Sequence, residues 1–562
     1  MASLWNGERA VVLLFVSRVV FSLPLSLLSH GIVLIVLSLA AFYVEIRLES
    51  SPPIPQFKTR PGASSGMLLG AATLPTVLIS KLIQMSRALS LKRIRPEEID
   101  YIKMQYWAAC VSCFSVLIFF HLVLWRSSRS PHSLSLWGVK FAPSCLSLCS
   151  TCSYLSLAAI CYYGLQPTFM PFWVLSHGFA AVKLIQHLLH TFPSCASIGE
   201  ALLVTAGLVL YFGDMLTCTF VKVNEKLTSM DITASGFGNG RSEISIVIQG
   251  VLLGLLVFPL LFNVLVRIWD QLSSNPLSGS RARNEFSKSI LFFTSLGFIL
   301  TIIIPSWMQF VQDFNLHPLL WVISFVFQDP LKRLSLCMYW VALIYASVSR
   351  FYHISKDSTV ERILLRKYYH LMAVSMFSPA LILQPEFLDL AFGGAVAVFL
   401  VLEIIRVWKI WPLGQPVHQF MNAFTDHRDS DLLIISHFSL LLGCALPIWM
   451  SSGYNDRPLA PFAGILSLGI GDTMASMVGH KYGVLRWSKT GKKTIEGTAA
   501  GITSVLVACS VLLPVLTSSG YILSQHWSSL VLAVVASGLL EAYTAQLDNA
   551  FIPLVFYSLL CL

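Results

Sequence analysis

The sequence predicts an all-α protein, a polytopic bundle of about 15–17 transmembrane helices. Two features of its composition predict this class. Residues of the apolar set AVILMFWYC make up 55% of the 562 residues, and charged residues make up 12%, about half of the roughly 25% that is typical of soluble domains. Because a membrane span takes about 20 residues, the chain has apolar material for roughly 15 spans. This composition excludes a soluble enzyme with one membrane anchor, and also a disordered or fibrous chain.

Apolar runs separated by short polar segments extend along the whole chain. The first run contains Arg18 and lacks a small-residue cleavage site, so we expect a first span and not a removed signal. Proline and glycine interrupt several runs, which membrane helices tolerate, so the number of spans is predicted to within about two. The runs lie near residues 11–28, 31–46, 107–125, 143–163, 169–188, 200–220, 244–266, 289–308, 334–348, 371–383, 390–405, 432–450, 459–478, 498–517, 527–540 and 550–562, with a weaker run at 66–84.

The net charge of +10 has two explanations. A basic chain can bind nucleic acid, but a polytopic protein also retains Lys and Arg in its short cytosolic loops. We favour the second explanation and expect no nucleic-acid partner. The twelve cysteines lie mostly in apolar runs, and these include the CxxxCxxC string of Cys145, Cys149 and Cys152. We therefore interpret the cysteines as small apolar residues and not as disulfide or iron–sulfur ligands.

Beyond about residue 350, polar residues begin to enter the apolar runs. A charge at the centre of a membrane helix costs about 2.5–3.5 kcal/mol, so such residues usually pair or have a function. We therefore predict an N-terminal multi-span region, 1–350, and a C-terminal catalytic region, 351–562. Glu403 and Arg406 are three residues apart and can form a structural ion pair. The other polar residues that we single out because they adjoin or enter the apolar runs are Arg366, Lys367, His370, Asp426, Arg428, Asp429, Asp472, Glu541, Asp548 and Asn549.

The stretch 471–497 combines features of an anion site. An apolar run ends at Asp472, and small residues follow at a spacing of four, which would form a stripe on one helix face that a backbone or a phosphate can approach. A basic loop then ends at Glu496 with no acid in between. Lysines suit phosphates and carboxylates suit a metal ion, so the stretch can hold a metal–polyphosphate complex. The alternative interpretation is a basic cytosolic loop that follows a glycine-packed span. The small residues are Ala475, Gly479 and Gly483, and the basic ones are Lys481, Arg486, Lys489, Lys492 and Lys493.

The spacing of this stretch resembles the CTP-binding signature that polyprenol kinases share with phosphatidate cytidylyltransferases. Every fixed position of the signature is filled. The resemblance implies a nucleotide site for CTP and a divalent metal ion, which both families use, so it does not separate the two activities. The positions that it implies are Asp472, Ala475, Gly479, Gly483, Lys492, Lys493, Thr494, Glu496 and Gly497.

The end of the chain separates the two families. The cytidylyltransferase motif of Lys-Asp, His-Gly-Gly and Asp-Arg is not found after residue 497, and the segment 538–554 instead resembles the Glu…Asp-Asn…Pro ending of the polyprenol kinases. The segment 366–370 resembles an element of dolichol and phytol kinases, and the segment 424–449 resembles dolichol kinases. The length of the chain favours these over phytol kinases, which are shorter and carry plastid-targeting segments. The resemblance thus implies an enzyme that transfers the γ-phosphoryl group of CTP to dolichol, for protein N-glycosylation.

The resemblance also implies roles for the residues. Lys492 and Lys493 would hold the CTP phosphates, and Asp472 would bind Mg²⁺ or orient the acceptor hydroxyl. We expect catalytic roles for Asp472, Lys493 and Glu496, metal binding by Asp472, Glu541 and Asp548, and nucleotide or acceptor binding by Arg366, Lys367, His370 and Asn549.

Several alternatives stay open for these residues. The two lysines can serve topology, Glu541 and Asp548 can serve interhelical bonding, and His370 can serve structure or a lipid headgroup. For the whole chain, the expected location is the endoplasmic reticulum membrane with the basic loop in the cytosol. A lipid transporter or flippase is the alternative from another functional class.

Overall fold

The computed structural model describes residues 6–51, 57–129, 170–228, 241–272, 281–357, 362–422, 433–487, 493–519 and 526–562. Within these ranges the regular structure is helical, apart from one isolated antiparallel bridge between Arg486 and Thr494. The predicted all-α class is confirmed. The predicted span at 143–163, its cysteine string and the segment with Asp426, Arg428 and Asp429 lie outside the described residues.

The helices follow one another along the chain. Numbered over the described ranges, they are α1 (Gly7–Phe21), α2 (Leu28–Ser50), α3 (Met67–Ser90), α4 (Pro96–Arg129), α5 (Met170–Thr191), α6 (Ile198–Thr228), α7 (Glu243–Leu272), α8 (Arg281–Phe298), α9 (Ile304–Val311), α10 (Pro318–Gln328), α11 (Pro330–Asp357), α12 (Arg362–Leu383), α13 (Pro385–Trp408), α14 (Gly414–Asn422), α15 (Ile435–Ser451), α16 (Thr473–Tyr482), α17 (Ile495–Ser518), α18 (Trp527–Tyr543) and α19 (Asp548–Leu560). Short 3₁₀ helices occupy Leu25–Leu27 and Ala460–Phe462, and π-helices occupy Ile299–Ile303 and Ile465–Asp472.

Nine helical segments within the described ranges are long and apolar enough to cross a membrane. Four further apolar helices are shorter, namely Pro318–Gln328, Phe438–Ser451, Trp527–Tyr543 and Asp548–Leu560. An apolar run of the sequence is therefore not always one straight span. The predicted run 459–478 becomes a 3₁₀ turn, a π-helix and the start of α16.

By its contacts the chain divides into two compact units. The first comprises Met1–Gly238, Ala342–Ile382 and Leu442–Leu562, and the second comprises Asn239–Val341 and Leu383–Leu441. The division predicted at residue 350 is a division by function and stays a prediction.

Helix α3 is the central element of the first unit. It is buried along most of its length and packs against α1, α2, α4, α6 and α19. Its polar side chains bond within the protein, as where the Ser80 hydroxyl lies 2.6 Å from the Ser558 hydroxyl of α19. An apolar helix with protein on all sides is the core of a bundle, and α3 thus joins the N-terminal helices to the C-terminal ones.

In the second unit, α7 packs against α13. Their contact contains a stacked ring pair, Phe262 and Trp408, with centroids 5.1 Å apart. Glu403 and Arg406 of α13 form the ion pair that the sequence predicted, with Nη2 and Oε1 2.7 Å apart, and both are buried. The Glu403 carboxylate also accepts a 3.0 Å hydrogen bond from the backbone N–H of Ile434. This pair therefore has a structural role.

The π-helix Ile465–Asp472 continues directly into α16 and determines where Asp472 lies. Wider π turns often occur at functional sites. Glycines allow a close approach to its neighbours: a Cβ on Gly464 would lie 2.2 Å from the Gly443 carbonyl of α15, and a Cβ on Gly443 would lie 2.4 Å from the Asn549 carbonyl of α19. Three segments that are distant in sequence thus meet beside Asp472.

Candidate active site

Asp472 is held by two basic side chains of α12, about one hundred residues earlier in the chain. Its Oδ2 forms an ion pair with Lys367 Nζ and lies 3.2 Å from His370 Nδ1. The same ring nitrogen lies 3.1 Å from the Leu468 carbonyl, one turn before Asp472. Asp472 and His370 are both buried. Arg366 is the neighbour of Lys367 in α12. The structure thus brings together two of the groups that the sequence predicted to cooperate.

Lys493 is the centre of a second cluster, at the junction of α18 and α19. Its ammonium group donates to the backbone carbonyl of Glu541 and lies 3.4 Å from Asp548 Oδ2. Carbonyls in the last turn of a helix lack intrahelical donors and carry partial negative charge, so a lysine there is favourable. Burial would lower the pKa of Lys493, but the charges of Asp548, Glu541 and Asp472 outweigh it and raise this pKa. Lys493 is therefore a cation at neutral pH.

The two clusters form one electrostatic site. The Glu541 carboxylate interacts with the charges of Asp472, Lys493, Asp548 and Lys367. Glu541 is the last charged residue of α18, which ends at Tyr543. Asp548 is the first residue of α19. The nucleotide signature and the C-terminal motif, which the sequence treats as separate, meet here.

The basic loop is folded back on itself as a short antiparallel pair. Ile495 N–H donates to the Leu485 carbonyl at 2.8 Å, and Trp487 N–H donates to the Lys493 carbonyl at 3.2 Å. The Glu496 carboxylate accepts the Leu485 N–H at 3.0 and 3.2 Å, so it closes the base of this loop. Lys489 and Lys492 lie outside the described residues.

Thr494 caps the helix that follows the loop. Its hydroxyl accepts the Gly497 N–H at 3.2 Å, as an N-cap residue does. The small residues of α16 pack against this first turn of α17: a Cβ on Gly497 would lie 2.5 Å from the Ala475 carbonyl and 3.0 Å from the Gly479 Cα, and a Cβ on Gly483 would lie 2.7 Å from the Thr494 hydroxyl. The stripe of small residues could accept either a phosphate or a helix backbone, and in the structure its partner is the backbone of α17. These glycines set the separation of α16 and α17.

Within the described residues, no group of three or more His, Cys, Asp or Glu side chains forms a ready metal cage. Mg²⁺ usually takes one or two carboxylates and completes its shell with phosphate oxygens and water. Asp472, Glu541 and Asp548 carry oxygen donors of that kind, and the charges of all three act on Lys493. One or two of these carboxylates would suit a Mg²⁺ ion whose other ligands came from a nucleotide and water.

Sequence reasoning missed two contributions to the site. One is the Glu541 carbonyl, because a backbone acceptor has no signature in the sequence. The other is Ser476, whose hydroxyl lies 3.5 Å from Asp472 Oδ1. The spacing of four residues within a helix would have indicated this contact. Asn549, predicted to bind, follows Asp548 in the first turn of α19.

Comparison with known proteins identifies the family of the chain. The sequence model of the family described as dolichol kinase matches residues 174–512. "Dolichol kinase EVAN" of Arabidopsis thaliana is 63% identical over 562 residues, 99% of this chain and 98% of that protein. The human protein named dolichol kinase is 32% identical over 395 residues, 67% of each chain, and dolichol kinase sec59 of Schizosaccharomyces pombe is 29% identical over 62% of this chain and 70% of its own. No solved structure matches the chain. A match over more than half of the chain, together with a relative similar over its full length, shows that this multi-pass membrane protein belongs to the dolichol kinase family.

Proposed function

We propose that this dolichol kinase uses CTP as its phosphoryl donor, with Mg²⁺, and that the reaction takes place between Asp472, Lys493, Glu541 and Asp548. The family implies a nucleotide donor and a lipid acceptor, and the CTP signature of the sequence specifies which nucleotide. The observation that carries the proposal is the contact of Lys493, from that signature, with the Glu541 carbonyl and with Asp548 of the C-terminal motif.

In the transfer, the hydroxyl oxygen of dolichol forms a bond to the γ-phosphorus of CTP. The bond from that phosphorus to the β–γ bridging oxygen breaks, the electron pair leaves with CDP, and the hydroxyl proton passes to water. The product is dolichyl phosphate. Such transfers need in-line positioning and neutralisation of charge more than covalent chemistry, and the site offers both in its fixed lysines and carboxylates.

Lys493 acts as the phosphate ligand. An ammonium group has three N–H donors, and two of them face Glu541 and Asp548 in the described part of the chain. The third is then available for a phosphate oxygen. Because its pKa is raised, the group keeps its charge while it binds. Lys492, its neighbour, is proposed as a second phosphate ligand, and Thr494 and Glu496 hold the loop that presents both.

Asp472 acts on the acceptor side or on the metal. Lys367 and His370 occupy its Oδ2, which fixes the orientation of the carboxylate and leaves Oδ1, near Ser476, toward the reactants. There it orients the hydroxyl of dolichol or, with Glu541 and Asp548, holds Mg²⁺. When bound, the ion neutralises charge on the β- and γ-phosphates.

We further propose that the enzyme lies in the endoplasmic reticulum membrane with the 483–495 loop in the cytosol. Basic loops of polytopic proteins stay on that side. The hydroxyl of a membrane lipid lies at the interface, and Asp472 lies where an apolar run ends. Dolichyl phosphate made there would serve protein N-glycosylation.

A labelled-nucleotide assay tests the proposed donor and site. The purified chain is supplied with dolichol, Mg²⁺ and CTP labelled at either the γ or the α phosphorus. We expect label in the lipid from the γ position only. Lys493→Ala is expected to lower kcat by about 10²-fold or more, the cost of losing one preorganised charge-stabilising donor. Lys103→Ala serves as the control, because Lys103 is an exposed lysine that pairs with Asp100 of its own helix.

Two outcomes would contradict the proposal. Label that reaches the lipid from the α position would indicate cytidylyl transfer, and full activity of Lys493→Ala would remove Lys493 from the site. The transporter alternative predicts no nucleotide turnover at all, which the same assay measures.

A further inference from the structure

The connection Thr544–Leu547 between α18 and α19 determines how the two halves of the Lys493 cluster face each other. The Glu541 carbonyl lies just before this connection and Asp548 just after it. Only four residues separate the helices, so a shift of the connection moves one or both groups relative to Lys493.

Two buried side chains from the N-terminal part of the chain hold this connection. Glu200 Oε1 accepts the Leu547 N–H at 2.7 Å. The same oxygen pairs with Arg60 Nη2 at 2.5 Å, and that nitrogen also donates to the Ala545 carbonyl at 3.1 Å. Glu200 is 3% exposed and Arg60 is 7% exposed. Because both side chains are buried, these bonds fix the backbone of the connection from the protein side.

Gln546 adds a third buried attachment. Its side-chain amide donates to the Ser64 hydroxyl at 2.8 Å and to the Ser64 carbonyl at 3.1 Å, and its Oε1 accepts the Ser197 hydroxyl. The amide group packs on Gly66, where a Cβ would lie 2.4 Å from the Gln546 side chain. Every residue from Ala545 to Leu547 is thus bonded to the N-terminal part of the chain.

The Glu200 carboxylate is also held by a hydrogen bond at the start of α6, which restricts its conformation. Ser197 and Glu200 form a capping box at the start of α6: Glu200 Oε2 accepts the Ser197 N–H at 2.8 Å, and the Ser197 hydroxyl accepts the Glu200 N–H at 3.1 Å. An ordinary capping box serves only its own helix. Here the other carboxylate oxygen reaches across to Leu547, so the rigid end of α6 becomes the reference point for the connection.

We propose that Glu200, with Arg60, is a positioning residue for the phosphoryl-transfer site, which holds the Glu541 carbonyl and Asp548 against Lys493. The inference rests on the proposed function, because it assumes that Lys493 binds the nucleotide. It gives the N-terminal helices a part in the reaction that requires no contact with a reactant. A displacement of about 1 Å in a reacting group can cost about 10²-fold in rate.

The test compares Glu200→Ala with a matched control, Glu45→Ala. Glu45 is also buried, pairs with an arginine, Arg9, at 2.6 Å, and accepts the N–H of Leu68 at the start of another helix at 2.7 Å. Its own hydrogen bonds do not reach the Thr544–Leu547 connection within the described residues; its charge acts on Glu8, which bonds to the Ala545 backbone. Both variants take a carboxylate from a buried arginine and from a backbone N–H, and Glu200→Ala also removes a direct bond to the connection.

Each variant is purified in detergent, the monodisperse fraction is isolated, and kcat and KM are measured for CTP and for dolichol. We expect Glu200→Ala to lower kcat/KM for CTP by about 10²-fold per folded protein, with the KM for dolichol within about twofold of the wild type. Glu200→Gln, which keeps an acceptor oxygen, should recover about tenfold of that loss. The rise in melting temperature caused by CTP should disappear in Glu200→Ala and persist in Glu45→Ala.

Two results would overturn the inference: wild-type kcat/KM for CTP in folded Glu200→Ala, or an equal loss in Glu45→Ala. If Glu200→Ala yields no folded protein, Glu200→Gln takes its place, because it removes the charge that pairs with Arg60 but keeps an acceptor oxygen, and wild-type kcat/KM for CTP in that variant would contradict the inference. Lys493→Ala separates the two levels of the argument. Full activity of that variant removes the proposed site itself, whereas its inactivity beside an unimpaired Glu200→Ala removes only the positioning role.

Discussion

Gly497→Ala tests whether the separation of α16 and α17 controls the position of Lys493. A Cβ at this position would lie 2.5 Å from the Ala475 carbonyl and 3.0 Å from the Gly479 Cα. Both are backbone atoms, which cannot swing aside as a flexible side chain can. The first turn of α17 must therefore move away by about 0.5–1 Å to reach ordinary contact distances.

The expected effect on activity follows from that displacement. Lys493 lies four residues before Gly497, and Thr494 between them bonds to the Gly497 N–H, so the lysine moves with the turn. A shift of up to 1 Å predicts a kcat lower by about 10–10²-fold. The cost in stability is smaller, because overpacking costs about 1–3 kcal/mol while alanine recovers about 1 kcal/mol of helix propensity over glycine.

The control is Gly207→Ala, in the interior of α6, where an added Cβ has no atom within 4 Å. This variant gains the same helix propensity without the clash, so its kcat should stay within about twofold and its melting temperature should not fall. The assay is dolichol phosphorylation by the monodisperse fraction of each variant. Wild-type kcat in folded Gly497→Ala would refute the reasoning, since it would mean that the turn relaxes without moving Lys493.

Three further predictions concern the charged groups. Lys367→Met and Asp472→Asn should lower kcat non-additively in a double-mutant cycle, because each removes the same ion pair; additive losses would show that the two act separately. The raised pKa of Lys493 means that its charged form, and the stability it contributes, persist below its ordinary pKa of 10.5 and are lost only as the pH rises through the higher folded value. Lys493→Ala should therefore reduce kcat by the same factor from about pH 7 to about pH 9, and a factor that shrinks toward pH 9 would contradict this. Glu496→Gln keeps an acceptor for the Leu485 N–H and should retain most activity, whereas Glu496→Ala should raise the KM for CTP several-fold as the loop base opens; equal KM values for the two variants would assign Glu496 no part in closing the loop.

Residue type and spacing in the sequence predict many residues of the candidate site. Asp472 can be identified from the sequence because a carboxylate in an apolar run is costly, and Lys493 because it lies in a basic loop between two carboxylates, as a phosphate site requires. Lys367, the partner of Asp472, belongs to the group of basic residues on α12 that the sequence also indicates. What the spacing left open was the partner of the glycine stripe, since a phosphate and a helix backbone require the same small residues.

The contact of Glu200 with Leu547 could not be predicted from the sequence. The letters Ser-Ile-Gly-Glu at 197–200 are those of a capping box, and a capping box predicts the start of a helix and nothing more. Its contact with Leu547 joins residues 347 positions apart. No local pattern encodes such a distance, because the contact depends on how α3, α6 and α19 pack around each other.

The amino-acid sequence by itself determined that this protein is a helical membrane protein, and it also determined which residues bear charge within its apolar runs. Both follow from the cost of placing polar groups in hydrocarbon, which acts on each segment separately. Only the tertiary structure decided which charges meet. It placed Lys367 on Asp472 and Lys493 on Asp548, and it joined Arg60 and Glu200 to the Thr544–Leu547 connection. Such pairings are set by the packing of whole helices, whose apolar faces determine the arrangement in which the scarce buried charges find their partners.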